Sequence, residues 1–197
     1  MSDANRSVGI PVEASPPEVP TEKQLLLRHR NGDPDAFRAF VARYQASVYA
    51  FIQRSGVPEA DREDVFQDTF IRIHRAANRY QPERPLSPWV FTVVVNTIRS
   101  YFRQRHRRGF VLDAQVERLA SPGPSAESRV KAQQTLERIE CEICELPSTQ
   151  REALLLAVVQ NLSMHEIAEV LEVPVGTVKT WLRRARARLM ERLKEHL

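Results

Sequence analysis

Hydrophobic residues recur at spacings of three and four along most of the chain, which is the period of one face of an α-helix. The clearest stripe lies near the C-terminal end, and its members are Val175, Val178, Leu182, Ala185, Leu189 and Leu193. The β-branched run at residues 92–95 lies inside a longer helical period, so it does not indicate a strand. The pattern therefore predicts an all-α protein.

Residues with strong preferences for helix ends mark the predicted boundaries. Thr21 can cap the first helix, and Asp33–Pro34 can start the second. Further along, Ser163 and Glu166 have the spacing of a capping box. Ser148 is expected to cap the helix before that box, and this helix is expected to bury an apolar set: Leu154, Leu155, Val158 and Val159.

Proline and glycine divide the chain into two helical regions. Residues 1–20 are polar and rich in proline, which predicts a disordered tail. Residues 109–128 contain a Pro-Gly-Pro sequence at 122–124, which predicts a flexible linker. We therefore expect two small helical domains, at 21–108 and 129–197, that are loosely coupled through this linker.

Charge is distributed unevenly over the 197 residues. The formal net charge is +4, but residues 99–108 hold five arginines and no acid. Residues 59–68 hold five acids and one arginine. Surfaces of opposite charge on one protein indicate more than one kind of partner.

The C-terminal region has the signature of a helix-turn-helix. A short helix containing Ala168 is followed by a turn at residues 172–174 and then by a helix that Pro174 and Gly176 open. The outer side of this last helix carries cations one turn apart, and its first backbone N–H groups can meet a phosphate. We expect it to bind DNA; a plain solvated charged surface is the alternative reading.

The two cysteines, Cys141 and Cys144, have CxxC spacing inside a helical pattern. A zinc site needs four ligands and no second CxxC occurs, so structural cysteines are expected, with no metal or cofactor. A redox or metal sensor is the alternative.

No run of about twenty apolar residues is present, so no membrane insertion is expected. The expected location is cytoplasmic.

Two stretches of the chain, in this order, resemble the bacterial extracytoplasmic-function (ECF) RNA polymerase sigma factors of the sigma-70 family. The first covers residues 33–108 and contains DPDAFRAFVARY, REDVFQDTFIRIHRA and SPWVFTVVVNTIRSYFRQRHRR. The second covers residues 146–193 and contains LPSTQREALLLAVVQNLSMHEIAEVLEVPVGTVKTWLRRARARL. The resemblance implies σ2-like and σ4-like helical domains that bind core RNA polymerase and direct it to promoters.

The same resemblance implies a role for the acidic helix. It would dock on the β′ clamp helices of core RNA polymerase through Asp61, Asp64, Gln67, Asp68 and Arg72. A solvated acidic surface is the alternative.

The resemblance also implies a site for the −10 promoter element. Asn96 would help to capture a base flipped out of the melted element, while Tyr80 and the loop after it form the rest of the pocket. Arg99 and Arg103 would contact phosphates. The alternatives are an ordinary polar surface residue for Asn96 and core packing for Tyr80.

For the second domain, the resemblance implies reading of the −35 element. The residues concerned are Gly176, Thr177, Lys179, Thr180, Arg183 and Arg184. The helix from Ser148 to Gln160 would sit on the β-flap of polymerase. Members of the family commonly have an anti-sigma factor as a further partner.

Two other classes of function compete with this interpretation. A helix-turn-helix regulator that binds DNA alone would need a sensor site in the first domain, and no such site is visible in the sequence. An enzyme is disfavoured, because no glycine-rich phosphate loop, metal cluster or catalytic triad is recognisable.

Overall fold

The computed structural model describes residues 19–107 and 139–194, and it contains helices but no strand in these ranges. In the first range lie α1 (Glu22–Arg30), α2 (Pro34–Arg54), α3 (Glu59–Ala76), a 3₁₀ turn (Ala77–Arg79) and α4 (Leu86–Arg107). In the second lie α5 (Ser148–Val158), α6 (Met164–Leu171) and α7 (Val175–Lys194), preceded by helical residues at 139–144. The all-α prediction is confirmed. The predicted linker at 109–128 and most of the predicted tail lie outside the described residues.

Several helix boundaries follow from the capping residues predicted for them. The Thr21 hydroxyl accepts a hydrogen bond from the backbone N–H of Gln24, and the side-chain oxygen of Gln24 accepts one from the backbone N–H of Thr21. Together these two bonds make a capping box. Asp33 caps α2, whose first residue is proline. Ser163 and Glu166 form the expected capping box of α6.

Two expectations about helix ends are wrong. Ser148 lies inside the first turn of α5, whose N-cap is Pro147, and no side chain caps this helix. Val158 is 68% exposed and Val159 is 37% exposed, and α5 ends at these residues. Helix α4 begins at Leu86 and includes Pro88 in its first turn, where proline is tolerated without loss of a helical hydrogen bond.

The core of the first domain is built from large aromatic side chains. Phe40, Phe51 and Phe91 are completely buried, and the ring centroids of Phe51 and Phe91 lie 5.4 Å apart, so they join α2 to α4. The chain turns between α2 and α3 at Gly56, whose φ of +83° favours glycine. This packing holds α3 and α4 side by side.

The second domain packs α5 and α6 against α7. Ile167 and Val178 are completely buried between these helices. Glu172 ends α6 in the left-handed conformation, with φ of 58°, and the Val173 amide donates to the Ala168 carbonyl. This turn sets the angle at which α7 leaves α6.

The two domains are in contact. Helix α4 of the first domain lies against α6 of the second, and their buried side chains form one continuous hydrophobic cluster. Two ion pairs, Arg99–Glu152 and Arg54–Glu140, cross the contact. The expectation of loosely coupled domains is therefore wrong for this arrangement, because the length of a linker does not report whether the surfaces it joins are complementary.

Candidate nucleic-acid interface

Helix α7 has one buried side and one charged, exposed side. Val178, Leu182 and Ala185 are at most 4% exposed and hold the helix in the domain. Three cations project to solvent from the outer side, and none makes an ion pair with a described residue: Lys179, Arg183 and Arg184. Below, these three residues are called the α7 cations. They are placed where phosphates and base edges could be reached.

The first turn of α7 is open enough for another backbone to approach. Nothing lies within 4 Å of the point where a side chain at Gly176 would begin. The Thr180 hydroxyl donates to the Gly176 carbonyl at 3.0 Å, and Thr177 and Thr180 are both half-buried. The Thr177 amide donates to the Pro174 carbonyl at 2.9 Å, so the Val175 and Gly176 amides are the ones at this end that can meet a phosphate.

Helix α4 carries the residues predicted to read the −10 element. Asn96 is exposed in the middle of the helix, and Arg103 is exposed two turns later, where it donates to the Ser100 hydroxyl. Arg99 lies between them and points to the second domain. Its Nη2 and Nε donate to the two carboxylate oxygens of Glu152 at 2.7 and 3.3 Å. Only part of the predicted set is therefore presented to solvent.

Tyr80 is buried in the core of the first domain, as the core-packing alternative predicts. It is not exposed for stacking on a base. The residue is 2% exposed, and its ring centroid lies 5.2 Å from that of Trp89. Its hydroxyl donates to the Arg84 carbonyl at 2.7 Å, while Arg30 donates to the Tyr80 carbonyl at 3.1 Å. In this arrangement Tyr80 has no free ring face for a base, and it fixes the loop that precedes α4.

The acidic helix α3 presents a mixed band of side chains. Asp64 and Gln67 are exposed, and Asp68 pairs with Arg72 one turn along at 2.9 Å. Asp64, Gln67, Asp68 and Arg72 are called the α3 band below. Asp64, Asp68 and Arg72 border a groove of about 390 Å³ between α3 and α4.

Asp61 differs from the rest of the predicted docking set, because it is held by α4. Its carboxylate accepts hydrogen bonds from the Tyr101 hydroxyl at 2.5 Å and from Arg105 at 2.7 Å. Burial, followed by the hydrogen bond to Asp61, raises the pKa of Tyr101 to about 12. Sequence reasoning missed Tyr101 and Arg105 here, since no local spacing links residues so far apart in the chain.

The cysteines are free thiols in a half-buried position. The Cys144 thiol lies 3.8 Å from the Arg54 carbonyl of the first domain, and burial raises the pKa of Cys144. Among residues 19–107 and 139–194, no cluster of three or more His, Cys, Asp or Glu side chains could hold a metal ion. Within the same ranges, no helix has the length and apolar character needed to span a bilayer.

Comparison with known sequences supports the resemblance described above. Family models match at Sigma-70 region 2, over residues 40–108, and at Sigma-70, region 4, over residues 136–189. RNA polymerase sigma factor CnrH of Cupriavidus metallidurans is 30% identical over 175 residues, which cover 85% of this chain and 92% of CnrH. The ECF RNA polymerase sigma-E factor of Escherichia coli is 31% identical over 174 residues, or 84% of this chain and 91% of that relative.

Solved structures show the same likeness over both domains. CnrH in complex with the cytosolic domain of CnrY is similar with a TM-score of 0.67 and 27% identity, over 88% of this chain and 97% of that chain. The sigma factor RpoE in complex with the anti-sigma factor NepR from Bartonella quintana is similar with a TM-score of 0.68 and 25% identity, over 80% of this chain and 96% of that chain. The chain therefore belongs to the ECF RNA polymerase sigma factors, with sigma-70 region 2 in its first domain and region 4 in its second.

Proposed function

We propose that this sigma factor docks on core polymerase through the α3 band, reads the −35 element with α7, and captures the melted −10 element with α4. The observation that carries the proposal is the exposed, unpaired state of the α7 cations on a helix whose opposite side is buried. A helix anchored in this way can enter a major groove without losing contacts within its own domain.

Reading of the −35 element rests on the geometry of α7. Arg183 and Arg184 are suited to guanine edges, because a guanidinium can donate two parallel hydrogen bonds. The open space at Gly176 gives a phosphate access to the first turn of the helix. Thr177 and Thr180 lie beside it and offer further short contacts.

Capture of the −10 element rests on Asn96, which is exposed on a rigid helix. Its amide can donate to and accept from the edge of a base that has left the stack. Arg103, also exposed, can contact the neighbouring phosphate. Tyr80 contributes indirectly, because its hydrogen bond to the Arg84 carbonyl holds the loop after it in place. Holding the captured base would favour the melted state of the promoter.

Docking on polymerase is assigned to the α3 band, and the β′ clamp helices are the proposed target. The double charge reversal Asp64→Lys with Asp68→Lys should reduce the affinity for core polymerase by several kcal/mol, because like charges across an interface repel. The control is Asp35→Lys, a single charge reversal at a side chain that is 80% exposed on α2. If the pull-down of core polymerase is the same for all variants, the docking assignment is wrong.

Two further partners are proposed. The β-flap of polymerase would contact α5, whose C-terminal end exposes Val158. An anti-sigma factor is proposed because CnrH and RpoE, which have similar structures, were solved in complex with CnrY and NepR respectively.

The whole proposal is tested by in vitro transcription with purified core polymerase. Promoters are selected from a random DNA library, and RNA synthesis is measured with and without this protein. The expected result is selection of two conserved elements and transcription that requires the protein. Tight sequence-specific binding by the free protein, with no effect on transcription, would instead identify a regulator that acts alone.

A further inference from the structure

We propose that a cationic cavity between α4 and the start of α5 binds a small phosphorylated ligand through a diphosphate group, which is either free pyrophosphate or part of a nucleoside diphosphate. The cavity has a volume of about 510 Å³, which is a usual size for a small-molecule pocket. This inference goes beyond the proposed function, which assigns only protein and DNA partners to the chain.

Positive charge dominates the wall of this cavity. The lining contains four arginines and one histidine but a single carboxylate, that of Glu152. Glu152 is already paired with Arg99 at 2.7 Å, and Arg105 is paired with Asp61. The other two arginines of the lining make no ion pair with a described residue. The wall is therefore complementary to an anion with more than one negative charge.

Arg151 is the more constrained of these two arginines. Its side chain is half-buried against Gly56, where an added side chain would begin 3.0 Å from Nη1 of Arg151. A guanidinium has five N–H donors, and among the described residues this one donates only to the Cys144 carbonyl, at 2.6 Å. Burial lowers the pKa of Arg151, because its charge leaves water without a full set of partners. A phosphate in the cavity would supply the missing acceptors.

The wall on α4 adds two exposed cationic side chains and an aromatic ring. Arg103 donates to the neutral Ser100 hydroxyl, and His106 follows one turn later. Both can turn toward an anion without giving up an ion pair with a described residue. Phe102 lines the same cavity, and its ring provides a surface on which a nucleoside base could stack.

The wall on α5 adds backbone donors. This helix of 11 residues has Pro147 as its N-cap, and no side chain caps it. The amides of Gln150 and Arg151 donate to the Pro147 carbonyl, whereas those of Ser148 and Thr149 have no acceptor among the described residues. Ser148 and Thr149 both line the cavity. Unpaired amides at the positive end of a helix dipole are suited to phosphate oxygens.

The two walls together favour a ligand with two phosphates. Arg103 and His106 belong to α4, whereas Arg151 and the unpaired amides belong to α5. A single phosphate would leave one of these walls unpaired across a cavity of this volume. A diphosphate presents oxygens to both walls, and its charge matches the two arginines that lack a carboxylate.

The test measures ligand binding to the full-length protein by isothermal titration calorimetry at physiological ionic strength. We expect saturable binding of pyrophosphate, at least about tenfold tighter than that of inorganic phosphate, because the second phosphate gains charge-assisted hydrogen bonds. Tighter binding of ADP or GDP than of pyrophosphate would identify a nucleotide as the ligand, and equal or weaker binding would identify free pyrophosphate. Absence of saturable binding by all three diphosphates would overturn the proposal.

Ser148→Pro removes one backbone donor without changing the charge of the cavity. The first helical position favours proline, and Pro147 already has the extended backbone that a residue before proline adopts. The fold should therefore be kept, while the affinity for pyrophosphate should fall about tenfold through loss of a hydrogen bond to a charged group. The matched control is Ser148→Ala, which keeps the amide and should bind like the wild type. Equal affinities for these two variants would overturn the proposal.

Arg151→Gln tests the half-buried cation and should weaken pyrophosphate binding by about tenfold or more, while Arg151→Lys should retain part of the affinity. The control for general attraction of anions is Arg38→Gln, whose native side chain is 85% exposed on α2. If Arg151→Gln unfolds, as judged by circular dichroism, His106→Gln at an exposed position should still weaken binding several-fold. Equal losses for Arg38→Gln and the cavity variants would overturn the proposal.

A short oligothymidine distinguishes this site from a DNA-binding surface. We expect Ser148→Pro to leave oligothymidine binding unchanged, because a strand on α4 does not need the amides of α5. If oligothymidine binding depended on Ser148→Pro while pyrophosphate did not bind, the cavity would belong to DNA and the proposal would be overturned.

Discussion

The helices α4 and α7 both carry several arginines but have different surroundings. The α7 cations make no ion pair with any described residue, whereas Arg99 and Arg105 of α4 are held by Glu152 and Asp61. The carboxylates that engage α4 come from distant parts of the chain. A run of arginines therefore does not by itself define a surface available to DNA, since availability depends on which acids the fold brings to it.

This difference gives the two helices different expected behaviour. Helix α7, the proposed −35 reader, should be accessible in the free protein, while α4, the proposed −10 reader, should act only after polymerase has docked and the promoter has begun to melt. The predictions below test whether the distinction holds.

The largest effect is expected on α7. Arg184→Ala should weaken binding to a selected promoter by about 1–3 kcal/mol if the guanidinium contacts a base. The measurement compares the intact promoter with one whose −35 element is scrambled, using the polymerase complex. Arg188→Ala, which removes an exposed cation further along the helix, is the control and should weaken both templates equally. Equal losses on both templates for Arg184→Ala would reduce its role to a phosphate contact.

A change on α4 should affect a later step. Asn96→Ala should leave binding to duplex DNA nearly unchanged but slow formation of the melted complex about tenfold, which corresponds to one lost hydrogen-bonding group. A pre-melted template should not fully restore the rate, because the contact with the base is itself missing. Gln104→Ala, at an exposed position of the same helix, is the control. A normal melting rate for Asn96→Ala would remove this residue from the −10 site.

A smaller effect separates two roles for Tyr80. Tyr80→Phe keeps the ring but loses the hydrogen bond to the Arg84 carbonyl, so the free energy of unfolding should fall by about 1 kcal/mol. Melting of the promoter should slow at the same time, because the loop is less well held. Full activity with unchanged thermal stability would show that the ring alone matters, as the stacking role requires.

The smallest expected effect is a pH dependence of stability. The residue responsible, His29, lies on neither α4 nor α7. Burial, followed by the charge of His74, lowers the pKa of His29 below 6.5, and the two rings lie 4.6 Å apart. The unfolded chain then binds more protons than the folded one just below pH 6.5, so stability should fall as pH decreases through that window and stay flat above it. His29→Phe should make the decrease shallower in thermal melts. Promoter choice should not change, because His29 lies on α1 and not on α7. A decrease of the same steepness in His29→Phe would exclude His29 as its cause.

Local features of the fold could be predicted from the sequence. Thr21, Asp33 and Ser163 were identified as caps because capping depends on residues only a few positions away. The buried stripe of α7 was likewise visible, since a helical period is a local property.

The relation between the domains could not be predicted in this way. Glu152 has the sequence context of an exposed helical residue, yet it is buried because Arg99 meets it across the interface. Val158 has the context of a buried residue, yet it is exposed because the helix ends there. The burial of Glu152 and the exposure of Val158 both depend on parts of the structure outside the helix that contains them. The spacing of residues within that helix therefore cannot predict either.

The structure of α7 also bears on how promoter preference can change over generations. The helix is anchored by Val178, Leu182 and Ala185, while the α7 cations on its other side are exposed. Substitutions at such positions usually alter stability by no more than about 0.5 kcal/mol. With α7 as the proposed reader of the −35 element, a gene copy could therefore acquire a different −35 preference through one or two codon changes, without first acquiring a compensating mutation in the core.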